Sequence, residues 1–131
     1  MPTNYAEVSA GVTAALAEYV HALDDGRTDD VVATFREDGV MDIEGMGTFR
    51  GTDELRSAYA GWVPRVPQRH MVLNTHVTDL GDGRARSVSD VVLLIKGADG
   101  WGVTMVGRYD DELVEDGGTW RFVRRSAAFV N

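Results

Sequence analysis

Apolar residues Val8, Val12, Ala15, Leu16, Tyr19, Val20 and Leu23 recur at helical spacing, while Glu7, Ala14, Glu18, His21 and Asp25 fall on the opposite face. The pattern predicts a helix from Val8 to Leu23, closing at Asp24, with Thr3 or Asn4 as its cap and Gly26 as its stop. Asp29-Asp30 opens a short second helix that runs through Phe35 and stops at Asp38-Gly39. Val40 to Ile43 reads as a strand, and Gly45 to Gly51 as a glycine-rich extended connection. Thr52 and Asp53 are placed to cap a third helix to about Trp62, which Pro64 and Pro67 close off.

The second half changes period. Arg69–Asp79, Arg84–Lys96, Gly102–Glu115 and Thr119–Val130 are long β-branched stretches. Gly81-Asp82-Gly83, Ala98-Asp99-Gly100 and Glu115-Asp-Gly-Gly118 separate them as hairpin turns. Three helices followed by an antiparallel meander predict an α+β layout with the helices gathered on one face of the sheet. Strands this long are expected to twist and curl, leaving a cavity beneath the helices.

At 131 residues the chain is one domain over 1–131, long enough to bury a core without staples. The absence of cysteine removes disulfides, thiolate chemistry and zinc–thiolate sites together. A net charge of −8, from 21 acidic against 13 basic side chains with no compact basic patch, opposes nucleic-acid binding. No apolar run approaches the roughly 18 residues of a membrane span, so no membrane partner and a cytoplasmic location are expected.

Two separated segments carry the candidate chemistry. Leu16, Val20 and Asp24 form one i, i+4 row on the buried helix face, whereas Asp25 continues the polar face. A carboxylate aimed at an apolar interior needs a partner or it is protonated. The simpler alternative is an exposed C-terminal residue, or one that bonds backbone in the next turn. His70 shares a strand face with Val72, Asn74 and His76 by two-residue alternation. His70, Asn74 and His76 spread over about 20 Å at roughly 3.3 Å per residue, so they do not close around a metal ion. No metal and no cofactor are expected.

Further strings sharpen the fold. Ala22-Leu-Asp-Asp-Gly26, Phe35-Arg-Glu-Asp-Gly39, Gly51-Thr-Asp-Glu-Leu55, Arg69-His-Met-Val-Leu-Asn74, Gly107-Arg-Tyr-Asp-Asp111 and Asp116-Gly-Gly-Thr-Trp-Arg121 together resemble the SnoaL-like group of the nuclear-transport-factor-2-like superfamily. The resemblance implies a cone-shaped α+β fold, three N-terminal helices packed on a strongly curved, mainly antiparallel sheet. The nearest branch by resemblance holds scytalone dehydratase, bile-acid 7α-dehydratase and hexachlorocyclohexane dehydrochlorinase; Ile43-Glu-Gly-Met-Gly-Thr-Phe-Arg-Gly51 looks most like the last. In that branch a histidine oriented by an aspartate removes a proton, and these match His70 and Asp24. A pocket tyrosine of the bile-acid enzyme matches Tyr19, and a pocket arginine of the dehydrochlorinase matches Arg125. A second carboxylate falls near Asp90. The dehydrochlorinase has a lysine at the position of Tyr19, which argues against chloride elimination. The ketosteroid isomerase base would fall at Ile43, which argues against steroid isomerisation.

Each match has a simpler competitor. Tyr19 on the apolar helix face reads equally as core, Asp90 as a solvent-facing residue, and Arg125 as half of an ion pair with Glu44 or Asp42. Phe35, Met41, Phe49, Tyr59 and Trp62 are expected to line or pack the cavity, with Asn74 beside His70.

These readings converge on a cofactor-independent lyase or isomerase for a small hydrophobic, ring-bearing substrate. Asp24 would hold His70 in one tautomer, His70 would abstract a proton, and Tyr19, or Asn74 or Asp90, would serve the leaving oxygen. Dehydration, polyketide ring closure and double-bond migration all begin with that proton removal. The competing reading is a ligand-binding or oligomerisation module without turnover. Either way the family resemblance implies a homo-oligomer, trimer or dimer.

Overall fold

The computed structural model describes residues 4–130. Its elements are α1 (Tyr5–Asp24), α2 (Thr28–Ala33), β1 (Phe35–Ile43), β2 (Gly47–Arg50), α3 (Gly51–Ala60), β3 (Gln68–Gly81), β4 (Arg84–Gly97), β5 (Gly100–Asp116) and β6 (Thr119–Phe129). Asn4 caps α1 by accepting from the Glu7 N–H at 2.9 Å; Thr3, the other candidate, lies outside the described residues. The predicted apolar row is buried throughout, from Val8 to Leu23. Burying one such side chain contributes roughly 1.5–3 kcal/mol. The chain then leaves through Gly26, whose φ of 71° is the left-handed conformation that ends helices.

Gly11 lets α1 settle directly on the sheet. A Cβ there would lie 2.3 Å from Cδ1 of Trp120, a rigid ring on β6. Gly11→Ala gains about 1 kcal/mol of helix propensity, yet overpacking costs about 1–3 kcal/mol. The expected net result is a lower urea midpoint; an unchanged or higher midpoint would show that Trp120 moves aside freely.

The strands form one six-stranded sheet in the order β2-β1-β6-β5-β4-β3. Only β1 and β6 run parallel; the other neighbours are antiparallel. The mixed, mostly antiparallel sheet is therefore as expected, but the strongly curved cone is not. The sheet is open and not strongly curved, with β2 and β3 as its two edges. Closure requires the edge strands to exchange hydrogen bonds. Here one edge is a four-residue strand, five strands away from the other.

Several boundaries also move. β1 begins at Phe35 rather than Val40, because Phe35 pairs with Phe122 and the Phe122 N–H donates to the Thr34 carbonyl at 2.8 Å. That contact takes from α2 the residues its sequence pattern would have extended into. The extended connection contains β2, which pairs with β1. The third helix starts at Gly51, and Glu54 Oε1 accepts from the Arg50 N–H at its entrance.

Alternation along β4 buries Ala85, Ser87, Ser89 and Val91 toward the helices. The outer face carries cross-strand ion pairs, Arg86–Asp110, Arg108–Asp90 and Arg124–Asp42. Exposed pairs of this kind are screened by solvent and add little to stability. On β3 a register shift between Leu73 and His76 breaks the alternation, and Asn74 sits at φ 53°.

Candidate active site

Asp24 is the last residue of α1, where the helix dipole disfavours a carboxylate. It is held there by donors from β3. His70 Nδ1 lies 2.6 Å from Asp24 Oδ1, the His70 backbone N–H donates to Oδ2 at 2.7 Å, and Gln68 Nε2 donates to Oδ1 at 3.1 Å. β3 is an edge strand, so its outward N–H groups need partners, and Asp24 supplies one. The two side chains are 9% and 4% exposed for His70 and Asp24.

Burial pushes the Asp24 carboxyl up, but the hydrogen bonds and charge of His70, with Gln68, outweigh it and hold the group below the usual carboxylate range. Asp24 is therefore ionised and accepts from Nδ1–H, and Nε2 is the ring nitrogen of His70 that Asp24 does not engage. A lowered carboxyl stabilises the fold above its ordinary pKa, and that contribution is lost as pH falls through the native value. Asp24→Asn is expected to lack this acid-limb dependence when unfolding is measured from neutral pH downward.

His70 and Gln68 line a cavity of about 300 Å³ between the sheet and the helices. Leu23 and Tyr19 of α1, Met41 and Ile43 of β1, Tyr59 of α3 and Trp62 just beyond it, Val91 and Leu93 of β4, Met105 and Tyr109 of β5, and Phe129 of β6 form most of its wall. Among the described residues, no Asp, Glu, Lys or Arg lines it.

Behind the cavity lies a second buried constellation. Arg125 and Asp111 are both fully buried and bonded twice, Nε to Oδ1 at 2.9 Å and Nη2 to Oδ2 at 3.3 Å. The guanidinium stacks on Tyr109, Tyr19 and Phe122, with Cζ 3.5, 4.2 and 4.6 Å from the ring centroids. Tyr19 is the hub of an aromatic cluster with Phe35, Tyr59, Tyr109 and Phe122, and its hydroxyl lies 2.5 Å from that of Tyr59. Burial raises the phenol of Tyr19, opposed by Arg125, and raises that of Tyr59 further. Both remain neutral hydrogen-bond groups at physiological pH.

Residues 4–126 match the family described as the SnoaL-like domain. The chain belongs to the SnoaL-like family. No curated protein sequence matches it. Among solved structures it is similar to a Mycobacterium tuberculosis protein of unknown function, at 23% identity over 93% of this chain and 71% of that one, TM-score 0.86. A Novosphingobium aromaticivorans protein provisionally named scytalone dehydratase is 20% identical over 94% of this chain and 84% of its own, TM-score 0.83. A Catenulispora acidiphila structure in complex with S-DNPA is 24% identical over 95% and 94% of the two chains, TM-score 0.85. At these identities the structures speak for the fold alone.

Within this SnoaL-like fold the expected site residues divide. Asp24 and His70 meet, and Tyr19, Met41, Tyr59 and Trp62 share the cavity wall with His70. Phe35 packs in the aromatic core and Phe49 against Trp62 rather than on the cavity wall. Arg125 does form an ion pair, but with Asp111; Asp42 instead takes Arg124. Asn74 and Asp90 sit on the outer face, where Asn74 Nδ2 donates to Asp90 at 2.9 Å and Arg108 holds the same carboxylate. The β3 bulge accounts for Asn74: the extra residue reverses parity, so His76 opposite Val88 also faces outward while Val77 is buried. Gln68, Tyr109 and Asp111 are additional. Gln68 was recoverable as the residue two before His70 on one strand face; Tyr109 and Asp111 alternate with Leu113 in β5.

Proposed function

We propose that this protein is a lyase or isomerase of the dehydratase and cyclase type, taking a small hydrophobic ring compound and needing no cofactor. The observation that supports the reading is the His70 imidazole on the wall of an apolar cavity, its Nδ1–H held by an ionised Asp24. In water loss, His70 Nε2 takes a proton from carbon next to a carbonyl. That C–H pair becomes the new double bond, and the neighbouring C–O bond breaks with the oxygen leaving as water once protonated. Asp24 stabilises the imidazolium that forms. The sequence motifs that resemble the scytalone dehydratase branch put water loss first, with ring closure and double-bond migration sharing its first step.

Two probes test it. In deuterated water the protein is expected to speed exchange at the carbon beside the carbonyl of 1-tetralone. It is also expected to convert 3-hydroxy-1-tetralone to 1-naphthol and water. Exchange without naphthol formation would favour isomerisation; neither reaction on ring ketones would favour the binding-module reading.

A homo-oligomer is the expected assembly. Met71, Leu73, Trp101, Val103 and Val106 are exposed, and by strand register they share the outer face. Sedimentation at micromolar concentration is expected to return a dimer or trimer mass, and a monomer there would remove the proposal.

A further inference from the structure

The cavity is lined by three phenols, and they are not equivalent. Tyr19 and Tyr59 engage each other through their hydroxyls, 2.5 Å apart. Tyr109 lies beside them with its hydroxyl bonded to neither. Its residue is only 4% exposed. Yet the enclosed polar atoms without partners, among the described residues, are Ser87 Oγ and Arg125 Nη1. A buried phenol that has no partner among the described residues and is not walled in opens onto the cavity it lines.

The surroundings of Tyr109 suit a donor. Arg125 Cζ sits 3.5 Å from its ring centroid, closer than to Tyr19. A cation on the ring face draws electron density from the hydroxyl and strengthens its hydrogen as a donor. Burial nevertheless keeps the phenol protonated, with Tyr19 adding to the rise and Arg125 opposing it. Register places Tyr109 on the same sheet face as His70. Tyr109 pairs with Ser89 and His70 with Leu93, both on the helix-facing side of β4. Base and phenol are thus two strands apart, about 10 Å across the sheet, and four residues, roughly 13 Å, apart along it, and both side chains line the cavity between them.

We propose that Tyr109 is the hydrogen-bond donor for the substrate's acceptor oxygen, opposite the His70 base, which narrows the substrate class to neutral ring compounds carrying a carbonyl or hydroxyl oxygen. The inference rests on the cavity being the substrate site. The absence of charged side chains from its wall sets the neutrality. Tyr19 and Tyr59, whose hydroxyls satisfy each other, then brace the wall rather than serve the ligand.

The test compares 1-tetralone with tetralin, the same ring frame without the oxygen, by calorimetric titration of the full chain. Tyr109→Phe is expected to weaken the ketone about 3- to 10-fold while leaving tetralin unchanged, since one net hydrogen bond is removed. Tyr59→Phe and Tyr19→Phe are expected to change the ketone and the hydrocarbon alike. In the wild type the carbonyl stretch of bound tetralone is expected to shift to lower frequency, a readout that needs no variant to fold. An unshifted stretch, or a ketone-selective loss in Tyr59→Phe instead, overturns the assignment. Failure of both probes to bind removes the cavity reading with it. If tetralone binding depends on Tyr109 but His70→Ala leaves proton exchange intact, only the proposed catalytic role fails.

Discussion

His70→Ala is expected to remove most of the catalysed exchange and turnover while the chain still folds. The imidazole lies at the cavity wall, so its removal enlarges an existing space instead of opening a void in the packed core. General-base contributions are about 10²–10⁴-fold, and a loss in that range is the expected reading in the tetralone assay. Asp24→Asn is expected to retain the shape but lose part of the same rate, because an amide there no longer fixes the Nδ1–H tautomer with a charge. The pair matters as a pair. Combining the two substitutions is expected to cost little more than His70→Ala alone, and additive losses would mean that Asp24 acts elsewhere.

The largest stability effect is expected behind the cavity. Asp111→Ala leaves Arg125 charged, fully buried and short of its carboxylate, and breaking such a pair costs about 3–5 kcal/mol. Replacing both partners by apolar residues of similar volume, Asp111→Leu with Arg125→Met, is expected to recover most of that loss in urea unfolding. If the single and double variants are equally unstable, the stacked guanidinium itself, and not the pairing, holds this region. Burial pushes the Asp111 carboxyl up to about 6, against the pull of Arg125. The native state therefore holds a proton that the unfolded chain has released between the ordinary carboxylate value and that point. This group's contribution to stability is present below that window and lost as pH rises through it, a slope that Asp111→Asn is expected to remove.

The period of the apolar residues was sufficient for most elements. Val8 to Leu23 reads as one buried helical row, and the four β-branched stretches correspond to β3 through β6, because local side-chain spacing and turn glycines act within a few residues. The Asp24–His70 contact was legible too, since a helix row ending in a carboxylate and a strand histidine are both local patterns. Other features depend on residues distant in the chain. The start of β1 at Phe35 is decided by its pairing with Phe122, and the open sheet by which strands never become neighbours. Alternation placed Asn74 with His70, but one inserted residue in β3 reversed every later side chain, which composition cannot show. Arg125 illustrates the same limit: its sequence offered Asp42 and Glu44, while cross-strand register set it opposite Asp111. The chain by itself determined which faces are apolar and which side chains are candidates for chemistry. Tertiary structure alone decided which of them share a face, because strand register and bulges join residues that no local period links.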